Sequence, residues 1–180
     1  MTFNKEKIII RPEKLSEYEK VDKLIYKAFA EQHSIETGKF MMQHFREERK
    51  KDTFIPELSL VAVLENGTIV GSIIIDKVQP IEYATIPWKE KLSEDEVMVI
   101  HLLMVRPSMS GKGIASSLIK FATELAQKNS CRALRLDTGS QNIPALSLYQ
   151  KNGFEIIASA SKKVGDVIAH KNHLFLEKIL

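Results

Sequence analysis

Two glycines, Gly111 and Gly113, stand where an apolar run gives way to a helical pattern, in Pro107-Ser-Met-Ser-Gly-Lys-Gly-Ile-Ala115. A helix N-terminus leaves its first N–H groups without partners and carries about half a positive charge. A turn of this kind can therefore hold a pyrophosphate on main-chain donors, and glycine lets the phosphate oxygens approach the backbone. Further along, Asn142-Ile-Pro-Ala-Leu-Ser-Leu-Tyr-Gln-Lys-Asn-Gly-Phe154 reads as a short helix that stops at Gly153. Asn142 suits the N-cap and Pro144 the first turn. Tyr149 follows Asn142 by seven residues, close to two turns, so the two share a helix face. A phenol there is a candidate general acid. By themselves these residues leave plainer readings open: an ordinary strand–helix turn, and a core tyrosine whose hydroxyl is satisfied by backbone.

Neither common nucleotide fingerprint is present. Gly111-Lys112 lacks the spacing and the hydroxyl of a Walker loop, and Ser116 occupies the third glycine position of a dinucleotide turn. Arg106 and Lys112 flank the turn as cations that could meet a phosphate or simply be solvated.

The elements that would position these groups follow from periodicity. Ile8–Arg11 reads as a strand stopped by Pro12, and Tyr18, Val21, Leu24, Ile25, Ala28 and Phe29 recur at helical spacing over about Leu15 to Ala30. His33 to Gly38 reads as a connection. A second helix spans Phe40 to Lys51, with Arg49-Lys50-Lys51 at the negative end of its dipole. Leu58–Leu64 and Ile69–Asp76 are strands joined by Asn66-Gly67, a strong hairpin signal. Lys77–Asp95 is long, proline-punctuated and aperiodic, the profile of a substrate-side lid or a solvated excursion. Val97–Val105 is a strand apolar on both faces, followed by a helix over Gly113–Asn129 and a strand over Ala133–Thr138. The capped helix comes next, then strands near Phe154–Ser161 and His173–Ile179, joined by a polar loop with Gly165-Asp166. The order is mixed α/β, with helices on both faces of the sheet.

At 180 residues, 44% hydrophobic and 27% charged, the chain is expected to form one domain over residues 1–180 with a full core. A net charge of +3 favours an anionic ligand but is too weak to argue for nucleic acid. The single cysteine, Cys131, excludes an intramolecular disulfide. The N-terminus is charged where a leader needs an apolar core, and no apolar run approaches a membrane span, so a cytoplasmic location is expected. The five histidines show no zinc spacing, so no metal is expected. An exposed edge strand would permit a homodimer.

The two motifs, with Leu103-Met-Val-Arg-Pro107 leading into the first, resemble those of the GNAT superfamily of acyl-CoA-dependent N-acyltransferases. The likeness extends to the element order along essentially the whole chain. It implies a single-domain fold with a largely antiparallel sheet, acetyl-CoA as co-substrate, and direct acetyl transfer to a primary amine. The amine would belong to a small molecule or a protein. It implies that Ser110, Gly111, Lys112, Gly113, Ile114 and Ala115 hold the pyrophosphate. Ser110 stands where the family has Arg or Gln, which removes a long side chain able to brace the turn. Leu103, Met104 and Val105 would pair through their backbone with the pantetheine arm, and Asn142 would lie near it. Tyr149 would protonate the departing thiolate. The base that deprotonates the amine stays open among Glu96, His101, Asp137 and water. A non-catalytic acyl-CoA-binding sensor is the alternative reading. Acceptors as large as tRNA would draw on the Arg46 to Lys51 cluster.

Overall fold

The computed structural model describes residues 7–52, 54–164 and 167–180, with backbone alone for 162–164 and 167–171. The charged N-terminal residues up to Glu6 and the Gly165-Asp166 loop lie outside the described residues. Seven strands and four helices follow the predicted order, and the strands run β1-β2-β3-β4-β5-β7-β6 in one sheet. The chain forms two compact units, Met1–Ile74 with Leu102–Leu118 and Ile75–His101 with Ile119–Leu180.

In the first unit, β1 (Ile8–Pro12), β2 (Ser59–Leu64) and the start of β3 (Ile69–Asp76) form an antiparallel meander, with Ile10 opposite Ala62 and Val61 opposite Ser72. The Asn66-Gly67 turn joins β2 to β3: Gly67 has φ of +82°, and the Asn66 side chain accepts from the Thr68 N–H at 3.0 Å. Helix α1 (Tyr18–Gln32) buries Val21, Leu24, Ile25 and Ala28. This stripe packs with Val61, Val63, Ile69, Ile74, Leu102 and Met104. Gly71 faces the other way: it pairs with Ala62, which lies between Val61 and Val63, and a β-bulge at Ala62/Val63 takes Ile69 out of step with it. A Cβ on Gly71 would come within 3.1 Å of Leu118 and 3.2 Å of Ile114, so the start of α3 (Ile114–Lys128) packs there. Helices α1 and α3 thus cover opposite faces of β2–β3.

Helix α2 (Ile35–Glu48) begins inside the stretch that reads as a connection. Ser34 caps it, its hydroxyl accepting from the Thr37 N–H at 3.1 Å. Gly38 looks like a loop residue in sequence, yet it is buried within the helix. A Cβ there would stand 2.7 Å from the Tyr26 carbonyl oxygen and 2.9 Å from the Ala30 Cβ. The glycine serves a close helix crossing, which no local pattern announces. The basic cluster at the end of α2 is spent internally. Arg46 and Arg49 both meet Asp22, Arg49 also meets Glu13 at 3.0 Å, and Lys50 and Lys51 pair with Glu47 and Glu48. Glu13 in turn accepts from the buried Ser59 hydroxyl at 2.6 Å.

In the second unit, β5 (Ala133–Gly139) pairs antiparallel with β7 (Val167–Ile179), which pairs antiparallel with β6 (Glu155–Val164). Strand β4 (Val97–Val105) runs parallel to β5 over Val97–Val99 and Ala133–Arg135. The segment Lys77–Asp95 is a packed wall, not a lid. Tyr83 and Ile86 are buried with Val97, Val99, Ala133 and Phe175. The Trp88 indole N–H donates to the Tyr83 carbonyl at 2.9 Å, and the Arg135 guanidinium lies 4.3 Å over the Trp88 ring. Arg135 also donates to Glu177 at 2.9 Å, to Gln79 at 2.9 Å and to the Glu90 carbonyl at 3.2 Å. Buried anchors at this density explain why a long aperiodic segment is held still.

Two outcomes follow. Gly38→Ala overpacks the α1–α2 crossing and lowers stability by about 1–3 kcal/mol in urea unfolding, with the spectroscopic helix content retained. Glu17, bonded to both Arg11 guanidinium nitrogens, has its pKa lowered from 4.5 to about 2, first by that hydrogen bond. A depressed carboxyl contributes stability above its unfolded value and loses it as pH falls toward its folded value. The destabilisation by Glu17→Gln, about 1 kcal/mol at neutral pH, therefore shrinks below about pH 4.5 and vanishes near pH 2.

Candidate active site

The glycine-bearing turn before α3 lies wholly in the first unit. A short turn at Pro107–Met109 leads out of β4, with the Met109 and Ser110 N–H groups bonded back to Arg106 and Pro107 carbonyls. Gly111 and Gly113 then take φ of +76° and +78°, the left-handed region that other residues adopt only at a cost. Nothing lies within 4 Å of where either glycine's Cβ would be, so the turn is open to a ligand's approach. Ile114, 2% exposed, anchors the first residue of α3 in the core. The Lys112 ammonium folds to 3.5 Å from the Met109 sulfur. Arg106 is held against β3: its N–H donates to Val70 and one guanidinium nitrogen to the Ile69 carbonyl at 3.1 Å.

Asn142 and Tyr149 lie in the second unit, on α4 (Ile143–Lys151). Asn142 caps the helix, its carbonyl oxygen accepting from the Ala145 N–H at 3.4 Å. The other end explains the Gly153-Phe154 pair. The Phe154 N–H donates to the Tyr149 carbonyl at 3.1 Å and the Gly153 N–H to Gln150 at 3.1 Å, with Gly153 at φ of +88°. These are the two bonds of a Schellman stop, in which the residue after the glycine packs on the one three positions before the cap. Here that contact is Phe154 on Tyr149, edge to face at 5.7 Å. The helix stop and the placement of the phenol are therefore one feature.

Tyr149 is 8% exposed, and its hydroxyl is not among the buried side-chain atoms that lack a hydrogen-bond partner. Burial, and then the nearby Asp137 carboxylate, push the phenol well above its ordinary value. It keeps its proton at any working pH.

Asp137 carries a cluster that no spacing in the sequence reveals. Its carboxylate accepts from the Tyr83 hydroxyl at 2.9 Å and lies 3.0 Å from the His173 Nδ1. These partners stand 54 and 36 residues away along the chain. The β5–β7 register brings them together: Arg135 faces Glu177 directly, Asp137 faces Phe175, and His173 is the diagonal neighbour on the same face. Burial, with the Asp137 carboxylate second, raises the Tyr83 phenol as well, which keeps it a donor.

The other base candidates are engaged. Glu96 accepts from the Ser93 N–H and hydroxyl, both at 3.0 Å, and the backbone bond first holds it below the usual carboxylate range. Such a group is a poor proton acceptor. His101 Nε2 lies 2.7 Å from Asp76. Leu103 and Val105 are half-buried and Met104 is buried. The parallel ladder with β5 stops at Val99 and Arg135, whereas β4 continues to Val105.

A profile of the acetyltransferase (GNAT) family matches residues 23–154. The chain belongs to that family. It is 37% identical over 68 residues to an uncharacterized N-acetyltransferase of Methanocaldococcus jannaschii, a match covering 38% of this chain and 30% of that protein. It is 36% identical over 69 residues to a streptothricin acetyltransferase of Escherichia coli, covering 38% of this chain and 36% of that protein. The matches therefore span about a third of the length of these curated relatives. The fold is shared with a chain of the NatC complex bound to Gag peptide and CoA, at 21% identity and a TM-score of 0.66, over 97% of this chain and 99% of that one. Among the described residues no helix is long and apolar enough to cross a membrane.

A Cβ on Gly153 would find its nearest neighbour, a Lys178 side-chain carbon, at 3.6 Å, an ordinary contact, so Gly153→Ala is penalised by backbone conformation alone. It lowers stability by about 1 kcal/mol in urea unfolding. Tyr149 fluorescence or the near-ultraviolet signal reports whether the phenol moves with the helix stop.

Proposed function

We propose that the protein transfers an acetyl group from acetyl-CoA directly to a primary amine. The observation that carries this reading is the Tyr149 phenol: largely buried, protonated, and set by the helix stop beside Asp137. A phenol kept protonated and held in one place fits a proton donor to a leaving group supplied by the substrate.

In this mechanism the amides from Ser110 to Ala115 hold the pyrophosphate, with Gly111 and Gly113 providing the approach. The backbone of Leu103, Met104 and Val105 pairs with the pantetheine arm as an added strand, and Asn142 lies along it. A β4 whose ladder to β5 ends at Val99 supports this role. The amine nitrogen attacks the thioester carbonyl carbon, and an amide of β4 polarises the carbonyl oxygen. When the C–S bond breaks, the sulfur takes the Tyr149 proton. The nitrogen's surplus proton passes to the Asp137–His173 pair and returns to the phenolate, directly or through water. Protons balance, and the products are the N-acetyl amine and CoA thiol.

The acceptor is a small molecule or a protein amine. Streptothricin acetyltransferase points to the first, and the NatC complex with its Gag peptide shares only the fold. The paired Arg46 to Lys51 cluster offers no free cations to a tRNA acceptor.

Thiol release is measured with acetyl-CoA and a panel of small amines and peptide N-termini. Tyr149→Phe lowers kcat by about 10²-fold or more with KM for acetyl-CoA little changed, and an unchanged kcat would remove the phenol from the mechanism. Gly113→Ala raises KM for acetyl-CoA about tenfold. In the wild type no loss of rate from phenol ionisation appears below pH 10.0, the ordinary value that burial raises. Acetyl-CoA binding without thiol release for any amine would instead establish the sensor reading.

A further inference from the structure

The first unit contains a second cationic feature, separate from the turn. Lys20, Lys23 and Lys27 recur along one flank of α1, beside the buried Leu24, and line a cleft of about 760 Å³ with Arg106 and the β2–β3 turn. Elsewhere in this unit Arg11, Arg46, Arg49, Lys50 and Lys51 all meet carboxylates. Among the described residues, Lys20, Lys23 and Lys27 meet none. Lys23 and Lys27 are also spaced four apart, where like charges on a helix repel. Glu31 is the one carboxylate on the rim, against four cations. Like charges gathered on one helix flank repel weakly in water, and an anion seated among them relieves that repulsion.

The other walls narrow the chemistry. Arg106 is preset, its backbone N–H bonded to Val70 at 2.8 Å and its guanidinium to the Ile69 carbonyl at 3.1 Å. A fixed fork beside flexible ammonium groups suits phosphate oxygens. Tyr26, Leu24 and Ile69 add an aromatic ring and an apolar floor, more than inorganic phosphate requires. The volume lies within the range of small-molecule sites. The cleft adjoins the α3 turn at Pro107 and Ser108 but lies on the α1 side: α1 covers the Val61–Ile74 face of β2–β3, whereas the start of α3 packs on the Gly71 face.

We propose that this cleft binds a nucleoside diphosphate, as a second anion site distinct from the phosphate turn. The lysines and Arg106 meet the phosphates, and the base lies against Tyr26 and the apolar floor. Arg106-Pro107-Ser108 runs from the cleft directly into the turn, so occupancy of one site can bias the other.

The test is calorimetric titration of the full chain with ADP, alone and in saturating CoA. One ADP binds per chain in both conditions, with affinity that falls steeply between about 50 mM and 200 mM salt. Lys23→Gln with Lys27→Gln weakens ADP about tenfold or more, while circular dichroism and KM for acetyl-CoA stay unchanged. Three results would each overturn the proposal: no ADP binding to the free chain, ADP heat abolished by CoA, or equal ADP affinity in the double variant. A rise in KM for acetyl-CoA in that variant would also overturn it, assigning the cleft to the coenzyme. Failure of acetyl transfer leaves the titration with the free chain intact, so the two readings fall separately.

Discussion

A guanidinium taken out of water draws acceptors to its donors, and each unit of this chain holds one such group, although the Arg49 Nε has no partner among the described residues. In the first unit Arg49, with its side chain 5% exposed, draws Asp22 from α1 and Glu13 from the end of β1 and lies 4.6 Å over the Tyr18 ring. In the second, Arg135, 4% exposed, draws Glu177 across the sheet and Gln79, Glu90 and Trp88 from the long segment before β4. Removing either arginine would strand a buried carboxylate, which costs more than the pair contributes. The second network has a direct bearing on chemistry. It fixes the β5–β7 register, and that register places His173 on the diagonal from Asp137.

Both chemical features are made from helix ends. At the start of α3 two left-handed glycines expose main-chain donors, and at the end of α4 one left-handed glycine folds Phe154 back on Tyr149. The same backbone freedom serves opposite purposes. One end leaves main-chain donors open to approach, whereas the other holds a side chain in place. Immobilisation matters for proton transfer, because a donor must be within hydrogen-bond reach when charge develops on the leaving atom. Asp137 adds an electrostatic constraint by disfavouring the phenolate, so the phenol's proton is retained until a stronger acceptor forms.

Features carried by a few consecutive residues were legible in the sequence. Asn66-Gly67 forms the hairpin, and Asn142, Pro144 and Gly153 bound α4 as their types suggest. Features that depend on distant contacts read wrongly or not at all. Gly38 resembles a loop residue because a glycine chosen for a helix crossing looks like one chosen for a turn. Lys77–Asp95 resembles a lid because its anchors, Tyr83, Ile86 and Trp88, follow no period. The Arg46 to Lys51 run resembles a basic patch, yet its cations are paired, while Lys20, Lys23 and Lys27 meet no carboxylate among the described residues.

What the sequence alone determined is local: where the chain turns, where helices begin and stop, and which residue types stand at those points. Backbone dihedrals and hydrogen bonds within a few residues decide these, so residue type suffices. What only the tertiary structure decided is which charges are spent and which side chains meet. Tyr83, Asp137 and His173 lie far apart in the chain and converge through strand pairing and core packing. The physical reason is that desolvation and pairing energies depend on neighbours in space, and those are settled only when the sheet has closed.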